Sequence, residues 1–513
     1  MKITLIELSV PDTSAIGVRS LSSYLKKYGH NVSIIFLANG GHKTDSGRIQ
    51  HSDEVVDQAT SLCKGSDLVG LSFLSSGFHR AVQITKSLKQ HLDVPVIWGG
   101  IHATIEVEQC LEYADGVCRG EGEEALLDLV DRISSGRNHY ETENFCFKKD
   151  GRIIQNPVRP LIQDLDSLPF LDYVPGSEHY ALIQKQNKIE RLDWDLQKHF
   201  LTPRVGRLDI GAQTVYTTMT SRGCPHTCSY CFHSLYRPMY KGQRYIRRRS
   251  AENVMDELSR FRAEHDFNGV IWFADDDFTA VLPRDIDSFA ELYGRKIGLK
   301  FFCLGSPTTI SDQKLKSLTA AGLSYFEFGI QTGSSKTKAV YRRSFSNDHI
   351  IKQTGLINRF RSAIPLPYYD FILDNPWETE EDELETLNLI LQIPKPFHLA
   401  LASFRYFPGS ALYDQARKEG LVDTGSEQSY AGEFWRLKGK YSNFLIFLYA
   451  NYPVPSPLIK LLAAKAMFGL LNRKALSPFY TAFFMLSEKA KQAWSMIKHI
   501  ISRRLPGETR RQK

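Results

Sequence analysis

The 513-residue chain has no internal repeat and no low-complexity tract. Its start, MKITLIELSVPD, reads as a strand pattern rather than a basic-then-apolar leader. Near the carboxyl end the apolar run FLIFLYA is too short to span a bilayer. Cysteine is sparse, eight in all, in no framework typical of small secreted proteins. These absences argue against a secreted disulfide scaffold, and they lead us to expect a reducing, cytoplasmic setting. What remains is ample for folding: a hydrophobic content of 42% supports buried cores, and the length suggests two to four domains.

Charge is unevenly spread. From Val454 onward there are twelve Lys or Arg against two acids, so the net +7 becomes about −3 for everything before it. PLIKLLAAKAMFGLL and SEKAKQAWSMIKHIISRR place apolar residues at helical spacing with basic residues between them. Two readings follow: a helical cap over a barrel mouth with a solvated basic tail, or a peripheral contact with an anionic membrane. Nucleic acid is a poorer partner, because no recognition module accompanies the charge.

Three of the eight cysteines are closely spaced, in SRGCPHTCSYCF: Cys224, Cys228 and Cys231. Three thiolates at C-x3-C-x2-C spacing can hold one face of an iron-sulfur cluster that normally takes four ligands, which leaves one iron open for chemistry. A structural zinc site would need a closed set of four, for which His226, His233 or the distant Cys303 would have to be recruited. Around the triplet, strand patterns near 215–220, 269–274, 300–305, 324–330, 367–373 and 398–406 alternate with helical ones near 251–264, 283–295, 311–321, 347–361 and 379–392. Such alternation predicts parallel βα units, whose active site lies at the carboxyl ends of the strands.

A separate βα rhythm fills the amino-terminal part, with strands in MKITLIELSV, HNVSIIFLA, DLVGLSFLS, VPVIWGG and DGVC, and strand ends rich in Ser and Gly. This predicts an open doubly wound, Rossmann-like sheet with its ligand crevice at the strand carboxyl ends. The expected division is 1–145 for that domain, 146–214 for a linker with a short helix in KIERLDWDLQKHF, 215–410 for the barrel-like core and 411–513 for a helical, basic extension.

The cysteine loop on a partial (βα)6 barrel resembles the radical S-adenosylmethionine superfamily. The resemblance implies that Cys224, Cys228 and Cys231 ligate a 4Fe-4S cluster and that Tyr230 lies against the adenine of S-adenosylmethionine. It further implies that Asp275 or Asp276, in WFADDDF, binds the methionine ammonium. FEFGIQTGS is similar to the family's Gly-Ile-Glu-Ser-Gly segment, with Gln331 in place of the glutamate, so an uncharged amide stands in the ribose- or carboxylate-binding position. FILDNPWETEED places Asp374 and Trp377 at two family glycines, with Thr379 as helix cap. RYFPGSALYDQA is a familiar tail segment.

The amino-terminal part resembles the cobalamin-binding domain that often precedes such a core. On that resemblance Ser72, Ser75, Gly99, Gly100, His102, Gly120 and Glu121 line the cobalamin site, glycines letting a bulky ligand approach the backbone. PDTSAIGVRS lacks the Asp-x-His-x-x-Gly pattern that supplies a lower axial histidine in some cobalamin proteins. The joint resemblance implies a class B radical S-adenosylmethionine methyltransferase. In such an enzyme, reductive cleavage of S-adenosylmethionine gives a 5′-deoxyadenosyl radical that takes hydrogen from an unactivated carbon, and methylcobalamin supplies the methyl group. It also implies a small or lipid-like substrate and an external electron donor such as flavodoxin or ferredoxin. Three alternatives stay open: a cobalamin-dependent radical cyclase or rearrangement enzyme, a non-catalytic cobalamin sensor, and an RNA methylthiotransferase, whose second cysteine triad Cys63, Cys110, Cys118 and Cys146 do not resemble.

Overall fold

The computed structural model describes residues 1–10, 13–37, 42–43, 48–174, 176–202, 213–422, 430 and 436–487. Near-continuous apolar runs such as Lys2–Glu7 and Leu68–Ser72 form strands because both faces are covered, as in a parallel sheet. The first sheet has nine strands, in the order 188–191, 179–183, 31–36, 2–7, 68–72, 96–99, 116–118, 145–149 and 152–155. Its six central strands run parallel, and the pairs at both edges are antiparallel hairpins. Two apolar layers fill its faces. One is built on Trp98, Phe73 and Ala81, the other on Leu25, Leu126 and Phe145.

The segment expected as a linker contributes strands to both edges of this sheet. Strand His179–Ile183 returns to pair in parallel with Asn31–Phe36, and Lys188–Arg191 extends the edge. The helix expected in KIERLDWDLQKHF is therefore shorter: its first four residues are strand and only Trp194–Leu201 is helical, capped by Asp193. The carboxylate of Asp172 fixes the return, accepting from Ser22 Oγ at 2.5 Å and Lys26 Nζ at 2.7 Å and lying 3.1 Å from His179 Nε2. Burial works against the charge, but His179 and Lys26 hold the carboxyl well below its usual range.

A second sheet of six parallel strands, 215–218, 270–273, 301–305, 323–331, 368–373 and 398–403, forms the partial barrel. Helices Ala251–His265, Pro283–Lys296, Asp312–Ala321, Asn347–Arg359 and Glu380–Ile390 alternate with them, close to the predicted positions. The last of these starts at a capping box between Thr379 and Asp382.

The carboxyl-terminal helices Tyr441–Asn451, Ser456–Leu462 and Lys465–Leu471 add to the barrel's apolar core through Leu445, Ile446, Tyr449, Ile459 and Phe468. The predicted amphipathic segment SEKAKQAWSMIKHIISRR lies, beyond Ser487, outside the described residues. Among the described residues no helix is long and apolar enough to cross a membrane.

Candidate active site

The carboxyl ends of the nine-stranded sheet face the first barrel strand and its cysteine loop across a cleft of about 390 Å³. Its walls are mostly apolar. From the sheet come Leu5, Gly70, Ser72, Ile97, Gly99, Gly100, Gly120 and Glu121; from the barrel come Met219, Arg222, Gly223, Phe232, Tyr236 and Asp276. Of the seven residues predicted for the amino-terminal ligand, five lie on this wall. Ser75 and His102 do not.

His102 is fully buried behind the wall, its Nδ1 3.0 Å from Ser75 Oγ and its ring against Phe73 and Phe78. Burial pushes the imidazole down to about 4, so it is neutral at ordinary pH. These two residues brace the loop from inside. Gly100 does similar work: its φ is +93°, and a Cβ there would stand 2.7 Å from the carbonyl oxygen of Phe73. A Cβ on Gly99, by contrast, would meet nothing nearer than 3.9 Å.

Glu121 is engaged by the barrel. Arg247 Nη1 donates to both its oxygens at 2.8 Å, and Arg222 Nη1 reaches Oε1 at 3.1 Å. Arg222 Nη2 also donates to Glu123 Oε1 at 2.6 Å. Burial disfavours the charges, yet each partner sustains the other: Arg222 is held above its ordinary range and Glu123 below its own. The two arginines, which flank the cysteine loop in a small antiparallel pairing of Ser221–Arg222 with Arg247–Arg248, clamp the domains together. The sequence reading missed both.

Cys224 and Cys228 are buried and Cys231 is half-buried. Desolvation pushes the Cys231 thiol up to about 12 and Cys224 higher still, with the nearby charges adding to the rise, Asp276 and Asp277 at Cys224, and Cys228 and Asp276 at Cys231. Among the described residues no three His, Cys, Asp or Glu side chains converge closely enough for a single ion. A cluster takes each thiolate on a different iron and so asks for a wider spacing. Gly223, with φ of +90°, carries the turn into the loop, where a Cβ would stand 2.5 Å from the Tyr245 carbonyl oxygen.

Arg343, also missed, stands behind the triplet: Nη1 donates to Cys228 Sγ at 3.4 Å and Nη2 to the Gly329 carbonyl at 2.5 Å. Tyr230 packs edge-on against Tyr341, ring centroids 4.9 Å apart.

The three aspartates separate in role. Asp275 is fully buried and accepts from Thr220 N at 3.0 Å, Thr220 Oγ1 at 2.7 Å and Ser221 Oγ. Its carboxylate ties the second strand to the start of the cysteine loop. Asp277 is likewise engaged, by Thr279, Thr309 and, at 2.8 Å, His226 Nε2. Asp276 alone lines the cleft, 3.0 Å from His233 Nε2. Gln331 ends the fourth strand at a bulge with φ of +77°, a left-handed conformation rare for a side chain of its size.

Residues 4–130 match the family described as B12 binding domain, and residues 218–390 match the radical SAM superfamily. The chain joins a B12-binding domain to a radical SAM domain. Its cofactors are accordingly cobalamin for the first domain, with a 4Fe-4S cluster and S-adenosylmethionine for the second.

Among curated proteins it is 26% identical over 371 residues to an uncharacterized methyltransferase of Pyrococcus horikoshii, covering 71% of this chain and 72% of that one. It is 27% identical over 331 residues to the anaerobic magnesium-protoporphyrin IX monomethyl ester cyclase of Rubrivivax gelatinosus, covering 62% of this chain and about half of the cyclase, 51%. The radical S-adenosylmethionine methyltransferase TsrM from Kitasatospora setae, with cobalamin and a [4Fe-4S] cluster bound, shares the fold. Its TM-score is 0.61 at 16% identity, covering 82% of this chain and 78% of that one.

Proposed function

We propose that this enzyme transfers a methyl group to an unactivated carbon of a small biosynthetic intermediate. The observation that carries the reading is the shared cleft, in which strand ends of the B12-binding domain and the cysteine loop of the radical SAM domain form opposite walls. Reduced and loaded, the three cofactors would supply a 5′-deoxyadenosyl radical and a transferable methyl group.

The chain's own residues do the rest. Cys224, Cys228 and Cys231 would hold the cluster, with Arg343 placing positive charge beside Cys228 Sγ. Asp276, which lines the cleft, would accept the ammonium, and Tyr230 and Gln331 would hold the remainder of S-adenosylmethionine. Ser72, Gly99 and Gly120 form the floor on which the corrinoid would lie, the open space beside Gly99 leaving room for a broad flat ligand. Arg222 and Arg247 keep that floor opposite the cluster. The apolar walls exclude water from a radical. A low-potential donor of the flavodoxin or ferredoxin class would supply the electron.

Both methyltransferase and cyclase names occur among the relatives, so a ring-forming outcome is the second reading. Turnover with S-adenosylmethionine labelled in its methyl group separates the two. We expect label in the product; 5′-deoxyadenosine formed with an unlabelled product overturns methyl transfer and favours the cyclase.

A further inference from the structure

The carboxyl-terminal helices carry apolar side chains on both of their faces. Toward the barrel they bury Ile459, Phe468, Tyr480 and Phe484. An ordinary surface helix turns charged and polar residues outward from such anchors. Here the outward positions are Leu458, Leu461, Leu470, Phe479, Met485 and Leu486, of which Leu461, Phe479 and Leu486 are 66%, 62% and 67% exposed. Half of the large apolar side chains most exposed among the described residues fall between 452 and 486, so the patch is a concentration and not a scatter.

The charges in the patch have one sign. Lys460, Lys465, Arg473 and Lys474 are exposed among these leucines and phenylalanines, and the sequence has no acidic residue between Glu433 and Glu488. A partner must therefore be apolar underneath and anionic at its surface.

We propose that this face seats the enzyme on an anionic lipid bilayer. Leucine and phenylalanine side chains would enter the boundary of the acyl region, and the lysines would lay their methylene stems along it with ammonium groups at the phosphates. The contact is peripheral, since no described helix can span a membrane.

The face also has a fixed relation to the barrel. Lys438 N and Asn443 Nδ2 donate to Asp374 at 2.9 and 2.7 Å, and Lys440 Nζ pairs with Glu383 at 2.6 Å. The helices are thus anchored to the carboxyl end of a barrel strand, the end that carries the cysteine loop on the first strand.

The test is flotation of the full-length, cluster-loaded protein with phosphatidylcholine vesicles, with and without phosphatidylglycerol. Binding to the anionic vesicles is expected, weakening with salt, and the triple variant Leu461→Ser/Phe479→Ser/Leu486→Ser should lose roughly tenfold or more in vesicle affinity. Its cluster absorbance should match the parent, which separates lost docking from lost folding. Absence of binding to anionic vesicles overturns the proposal. So does equal, salt-independent binding to both vesicle types, or a triple variant that floats like the parent. A lipid-independent dimer that the triple variant dissolves would instead make this face a contact between copies of the chain, and the bilayer would be excluded.

Discussion

Arg222 Nη2 lies 2.6 Å from Glu123 Oε1, and this bond joins the residue two positions ahead of Cys224 to the first turn of helix Glu123–Ser134 in the other domain. It works beside the bonds of Arg222 and Arg247 to Glu121 in joining the cysteine loop to the first domain. Arg222 keeps Glu121 as a partner when Glu123 loses its charge, so the loss is smaller than the roughly 3–5 kcal/mol of a buried charge left wholly unpaired. Glu123→Gln should lower the denaturation midpoint accordingly. A double-mutant cycle with Arg222→Gln should give a favourable coupling energy, which two merely additive losses would contradict.

For the cysteine triplet, Cys228→Ala should abolish iron-sulfur absorbance and 5′-deoxyadenosine formation after anaerobic reconstitution. Cys303→Ala, in the barrel core, should leave both in place. Retained iron in the first variant would remove the assigned ligand set.

Arg343→Gln removes the donor to Cys228 Sγ without touching the thiols. Outer-shell partners of metal ligands are commonly worth 10–100-fold. We expect a loss of roughly that size in the rate of S-adenosylmethionine cleavage, with a more negative cluster midpoint potential and iron content unchanged. An unshifted potential would mean that the arginine only packs.

Gly99→Leu should fold, since the Cβ meets only ordinary contacts, yet its longer side chain enters the cleft. Bound corrinoid should drop severalfold while iron stays constant, as read from the two contents of one preparation. Equal corrinoid would place that ligand elsewhere.

Glu7 titrates in a window of its own. Buried at the end of the first strand, its carboxyl is pushed by desolvation up to about 7, against hydrogen bonds from Ser9, Val10 and Ser72. The folded state therefore holds a proton that the unfolded chain releases near pH 4.5. Stability from this group is full below that pH, falls between about 4.5 and 7, and amounts to about 3 kcal/mol over the interval. Glu7→Gln should flatten this part of the profile in urea unfolding at graded pH. A slope identical to the parent's would reassign it.

The strand and helix alternation was legible because parallel strands read as apolar runs between amphipathic helices. The cysteine loop was legible because its spacing is local. Partnerships were not, since Arg222, Arg247 and Arg343 reach Glu121, Glu123 and Cys228 across 99 to 126 positions, and nothing local marks an arginine as bound. The same limit hid Asp275's partners Thr220 and Ser221, which lie beyond the end of the neighbouring barrel strand. Asp374 is instructive in the other direction. Its φ of +64° is the conformation that favours glycine at that position, and here a carboxylate holds it by accepting from Ser403, Asn443 and Lys438.

The strand His179–Ile183 also determines where this polypeptide can be divided. Ending a fragment at residue 145 would strip the parallel partner from Asn31–Phe36 and bare a row of unpaired amides, an invitation to aggregate. An excised corrinoid domain has to run on to about Leu201, so that the chain's return crossing travels with the half it completes.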